Sequence, residues 1–200
     1  LVTLRKEHPQ VFSREAILQE IFSCNVPKLL YWELWDKLFK TELVTKIRFD
    51  ESIANMEDML FFWQVMARAK SFAYAPLFQY HYRMREGSAI HSRISPKVIS
   101  SAQAMQKVWR LAQLENDKLR QTILCQYVSV MIRTARQMLV YDAKRYASDI
   151  QRNQKIIRSS WMEFLKASHI SFSLIRAIAF LSLPFPICCR LRCLIKKDSD

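Results

Sequence analysis

The residues best suited to chemistry fall in two short stretches. Glu57 and Asp58 form an acidic pair just ahead of the run MLFFWQVMARA, and a carboxylate at a helix start suits a general base that takes a proton from a hydroxyl. Farther on, Arg83, Arg85 and Ser88 follow Tyr80-His81-Tyr82; guanidinium groups beside a hydroxyl are suited to holding diphosphate oxygens. Lys37, within WDKLF, can reach an anionic group, and His81, with His91, is a candidate metal ligand. Each has a plainer reading as well. With Asn55 as cap, Asp58 falls at the third helical position, where capping and the helix dipole favour an acid on structural grounds. The arginines and Ser88 equally suit a solvated loop turned at Gly87, and a lone histidine is more often structural than a ligand.

Periodicity predicts the elements that must carry these groups. SREAILQEIF has the polar cap and apolar spacing of a short helix starting at Ser13 and ending near Asn25 and Pro27. In LLYWELWDKLFKTELV, Trp32, Trp35, Leu38 and Phe39 recur at helical spacing, with a start that also reads as extended. Met59, Phe62, Trp63 and Met66 lie on one face of a strong helix that Asn55 is placed to cap. The alternation of Phe72 and Tyr74, then Phe78, Tyr80 and Tyr82, predicts two short strands or one edge strand broken at Pro76. After Ser95-Pro96 three amphipathic helices are expected, through Val98 to Ala112, Leu119 to Met138, and Ile150 to Leu165. A domain boundary is expected near residue 95.

Composition narrows the classes. Glycine at an average frequency near 7% would number roughly 14 in 200 residues, and this chain has one, Gly87. A complete dinucleotide-binding fingerprint and a P-loop, which need several glycines, are thereby excluded, and a many-hairpin β fold is disfavoured. Residues 1–95 hold 13 basic and 11 acidic side chains and residues 96–200 hold 18 and 7, so the net charge of +13 resides mostly in the second half. A basic surface attracts nucleic acid and anionic lipid alike. Cys24, Cys125, Cys188, Cys189 and Cys193 form no C-x-x-C pair and no zinc-like spacing with histidine, and are expected to be reduced.

The 13 uncharged residues between Arg176 and Arg190, broken by Pro184 and Pro186, fall short of the ~20 needed to span a bilayer. Phe172, Ile175, Ile178 and Ala179 on one face, with Arg176 on the rim and Arg190, Arg192, Lys196 and Lys197 beyond, predict an interfacial segment near 170–197 with a basic collar. A core helix of a helical subdomain is the alternative.

Taken in order, WDKLFKTELV, IRFDESIANMEDMLF and FQYHYRMREGSAI resemble the second half of the catalytic domain of bacterial family 2 glycosyltransferases, the inverting nucleotide-sugar enzymes that build capsules and lipopolysaccharides. The resemblance covers residues 10–95. It implies an α/β fold, with residues 1–95 as the C-terminal, acceptor-side half of a GT-A type domain and residues 96–200 as a mostly α-helical basic region. It further implies Asp58 as the general base, Glu57 orienting the acceptor, and Arg83, Arg85 and Ser88 on the diphosphate side. Asp36 stands where the family usually shows Asn, which puts position 36 in doubt.

The family binds its nucleotide, with Mg or Mn on a D-x-D motif, through an N-terminal half that is expected to lie outside this chain; Asp198-Ser199-Asp200 trails a basic tail and is read as a chance match. The expected partners are a nucleotide-sugar donor, a glycan or lipid-linked acceptor and the anionic cytoplasmic face of the bacterial plasma membrane, with the chain alone inactive and binding no metal. The alternative is a non-enzymatic basic helical module that binds nucleic acid or anionic membrane; dispersal of Lys and Arg along the helices argues against a nucleic-acid recognition face.

Overall fold

The computed structural model describes residues 8–23, 30–76, 97–166 and 172–191. They form a mostly helical protein with one small sheet. Strand β1 (Gln10–Ser13) runs straight into helix α1 (Arg14–Phe22), and the switch is made by Ser13, whose Oγ accepts from Ala16 N at 3.2 Å. This satisfies one of the amides that a helix start leaves without an intrahelical partner. β1 pairs antiparallel with β2 (Ser71–Tyr74), Gln10 opposite Tyr74 and Ser13 opposite Ser71. The α/β expectation therefore holds only as a helical protein with a two-stranded sheet. The second expected strand, Phe78 to Tyr82, lies outside the described residues.

Two expectations for the first half are corrected. Residues 30–40 are turns and irregular chain rather than helix, and helix α2 is confined to Thr41–Val44. The aromatic residues are placed one at a time: Trp32 lies against Phe22 with ring centroids 5.8 Å apart, whereas Leu38 and Trp35 are exposed. Aromatic residues gain little from helical backbone, and here individual ring contacts take over from helical hydrogen bonds.

Second, Asn55 does not cap helix α3 (Glu57–Met66). The cap position is Met56, in the left-handed region at φ 65°, while Asn55 Nδ2 donates to Ser101 Oγ at 2.8 Å and Ala54 N to Ser100 Oγ at 3.1 Å. A left-handed methionine costs about 1–2 kcal/mol. The two serine bonds across to the next helix, with Met56 itself buried, hold it there. Asp58 is consequently the second residue of α3, not the third.

The three helices expected after residue 96 are present as α4 (Lys97–Ala112), α5 (Asp117–Asp142) and α6 (Ala147–Lys166), followed by α7 (Phe172–Leu181) and α8 (Phe185–Leu191). Asn116 caps α5, accepting from Leu119 N at 3.0 Å. Trp109 of α4 stacks on Tyr127 of α5, with ring centroids 5.5 Å apart. The long α5 is the centre of the molecule, with α1, α4, α6 and α7 packed against it. Its register against α6 is set by a buried amide: Asn153 Nδ2 donates to Thr134 Oγ1 at 2.8 Å and to Met131 O at 3.3 Å. Gln154 does the same for the end of α7, donating to Leu181 O and Leu183 O, both at 3.0 Å. A helix break falls at Pro184 as expected, but Pro186 sits in the first turn of α8, where a missing N–H leaves nothing unsatisfied. Cys125, Cys188 and Cys189 are not joined in disulfides, and Cys24 and Cys193 lie outside the described residues.

The main core draws on both sides of the charge shift near residue 95: Ile17, Phe22, Met59, Phe62 and Trp63 belong to the same buried cluster as Met105, Val108, Ile123 and Met131. Polar links reinforce it. Arg14 Nε donates to Met66 O at 2.7 Å, and its terminal nitrogens form a two-pronged ion pair with Glu115, Nη1 to Oε2 at 2.9 Å. Lys107 pairs with Asp50 and, with Ser52, holds that carboxyl down to about 2. Both Arg14 and Glu115 are mostly shielded from water, so Arg14→Ala is expected to lower stability by about 2 kcal/mol. Arg14→Lys should recover less than half of that loss in urea unfolding, because an ammonium cannot reproduce the fork. Full recovery would show that charge alone matters.

Candidate active site

Glu57 and Asp58 open α3, and Lys37 lies against the Phe62 ring of the same helix. Burial of Met59, Phe62, Trp63 and Met66 beneath the helix fixes its rotation and leaves Asp58 at the edge of the apolar layer. Asp58 Oδ1 accepts from Met59 N at 2.7 Å. Partial burial is the main reason its carboxyl is pushed up to about 6; the Met59 bond opposes the shift, and the neighbouring charges of Glu57 and Glu33 add to it. A carboxyl so placed is mostly ionised at neutral pH yet retains real basicity, the condition that general-base catalysis favours.

Glu33 did not emerge from the sequence. It comes from the irregular segment ahead of α2, and its Oε2 is buried with no hydrogen-bond partner among the described residues. Lys37 lies in the same corner, its side chain only 4% exposed. Its Nζ donates to Glu33 O and to Asp36 Oδ1, each at 2.6 Å, and sits 5.8 Å from the centre of the Phe62 ring. Two of its three N–H groups are thus used within the protein. Asp36 serves as the partner of Lys37.

From the helical half, exposed Arg133 of α5 brings its guanidinium to Met56 Sδ at 3.7 Å, placing a cation beside the α3 start. No local pattern distinguishes Arg133 from the other basic residues spread along α5. Arg83, Arg85, Ser88 and His81 lie outside the described residues. Among the described residues no three of His, Cys, Asp and Glu are gathered to hold a metal ion, and Asp198 and Asp200 lie outside them.

The chemistry open to Asp58 here is proton abstraction, in a half-buried setting made more negative by Glu57 and Glu33. Among the described residues no helix is long and apolar enough to cross a membrane. No protein-family model, curated protein or solved structure matches this chain.

Proposed function

We propose that this chain is the acceptor-side portion of an inverting glycosyltransferase of cell-surface polysaccharide synthesis, with Asp58 as the base. The reading joins the resemblance of the three ordered motifs to a single observation, a carboxyl at the start of α3 raised to about 6 by burial beside two other carboxylates. In an inverting transfer one displacement forms the new glycosidic bond as the bond to diphosphate breaks. Asp58 accepts the proton of the attacking hydroxyl, and Glu57, adjacent on the first turn, orients the acceptor. The nucleotide-sugar donor, its Mg or Mn ion and the D-x-D residues belong on this reading to chain outside these 200 residues, with Arg83, Arg85 and Ser88 facing the departing diphosphate.

The helical half is proposed to rest on an anionic membrane surface at the cytoplasmic face. Supporting this are the exposed apolar side chains Trp161, Met162, Ile175, Ile187 and Leu191 on α6, α7 and α8, with the exposed cation Arg190 among them.

The test is a pH–rate profile of the parent protein supplied with donor and acceptor. kcat/KM is expected to rise between pH 5 and pH 7 with a midpoint near 6, following ionisation of Asp58. A profile flat across that range would remove Asp58 as the base.

A further inference from the structure

Between α6 and α7 lies an open groove of about 440 Å³, lined by Arg158, Trp161, Ile175, Ile178, Ala179 and Ser182. Its size falls within the ~300–1,000 Å³ usual for small-ligand sites, and a mostly apolar lining with one placed polar group is their usual character. Helical spacing builds the walls: Arg158 and Trp161 are three apart on α6, while Ile175, Ile178, Ala179 and Ser182 recur on one face of α7 and the turn after it. Ile178 is buried, whereas Trp161, Ile175 and Ala179 stay exposed, so the groove opens along its length.

The polar group is fixed in place. Arg158 Nε donates to Ser182 O at 3.1 Å and Nη2 to Leu183 O at 3.0 Å. These carbonyls lie just past the end of α7, where the helix dipole favours a cation. The clamp uses two nitrogens of the guanidinium and leaves Nη1 outside both bonds. A tethered cation at one end of an apolar channel is complementary to one chemistry, an apolar chain carrying an anionic head.

We propose that this groove holds one acyl chain of an anionic phospholipid, with the head-group phosphate on Arg158. Resting on the membrane-surface part of the functional reading, it adds to it a discrete lipid site and is independent of Asp58. A membrane phospholipid is the occupant that suits the surroundings: exposed Met162 follows Trp161 on α6, the same helical half exposes Ile187, Leu191 and Arg190 on α8, and residues 96–200 carry most of the positive charge.

The experiment titrates the full chain with monomeric dihexanoylphosphatidylglycerol, using dihexanoylphosphatidylcholine and inorganic phosphate as comparisons. Saturable binding of the phosphatidylglycerol is expected, with a fluorescence change that Trp161→Phe abolishes. Ala179→Phe, which fills the groove from an exposed position, should weaken binding by about tenfold, the worth of roughly two buried methylenes. Arg158→Gln should erase the preference for phosphatidylglycerol over phosphatidylcholine, and it carries the test should circular dichroism show that Ala179→Phe does not fold.

Four results overturn the site: no saturable binding of the monomeric lipid, unchanged binding in both variants, displacement of the lipid by inorganic phosphate, or a lipid-free dimer dispersed by Ala179→Phe, which would assign the groove to a second copy. Phosphatidylglycerol vesicles separate the two readings. Vesicle binding without monomer binding overturns the groove and leaves the surface contact standing; monomer binding without vesicle binding supports the groove and overturns the surface contact.

Discussion

Replacing Asp58 with Asn is expected to make the folded chain more stable at pH 8 and, on the proposed glycosyltransferase reading, to lower the transfer rate by about 10²–10⁴-fold, the usual contribution of a general base. The two effects share one cause. The Asp58 carboxyl is raised from its ordinary value near 3.8 to about 6, so the folded state prefers the neutral acid. That preference adds full stability below the ordinary value and is lost as pH rises through about 6.

By pH 8 the native protein must hold an ionised, half-buried carboxylate near Glu57 and Glu33. A rise of that size in a fully dry site would correspond to ~3 kcal/mol, and solvent at the exposed part of the group reduces this to about 1–2 kcal/mol. Asn is neutral throughout and can still accept from Met59 N. Its stability advantage over the wild type should therefore be small below pH 4, grow between pH 4 and pH 6, and level off above pH 7. Urea unfolding at a series of pH values measures it, alongside kcat in the parent protein. An unchanged rate would remove the base, and an unchanged pH dependence of stability would place the titration on another group.

Trp63→Ala is expected to have the largest structural effect, about 3–5 kcal/mol, the usual range for deleting a buried aromatic ring. Trp63 is 2% exposed and meets the Phe22 ring edge-on at 5.3 Å between centroids. Its burial joins α3 to α1, and α1 packs on α5. The loss should consequently be felt in residues far along the chain. Hydrogen exchange is the informative measurement: the most protected amides around Ile123 to Met131 should lose the same free energy that urea unfolding reports, as one cooperative unit requires. Wild-type protection of α5 in a destabilised Trp63→Ala chain would instead divide the molecule into two units.

The Ser13 cap, the apolar face of α3 and the three long amphipathic stretches after residue 96 are all carried by neighbours within a few turns, and each appears where expected. Such features depend on contacts within one helix and on which of its faces avoids water, and both are written in the order of residues. The pairing of Gln10 with Tyr74 is not: QVFS is too short to show an alternation, and its partner lies some sixty residues away. The bend at Met56 is equally hidden, because Asn55 makes a good local cap until Ser101 offers it a partner from another helix.

The same division runs through the candidate site. An acid at the start of α3 is legible from composition and spacing. Its raised pKa is not, since burial comes from the packed core and one of the two charges acting on it, Glu33, arrives from an irregular segment. The place of Lys37 over the Phe62 ring carries no sign in the spacing, because the two residues are remote in the chain. The groove on α6 and α7 needs two helices side by side before its walls exist at all. Periodicity settled which residues form helices and which faces turn inward, because those follow from local backbone geometry and the hydrophobic effect. Which helices meet, and therefore which charges lose their water and which cations stand beside an apolar channel, followed only from packing between residues remote in the chain.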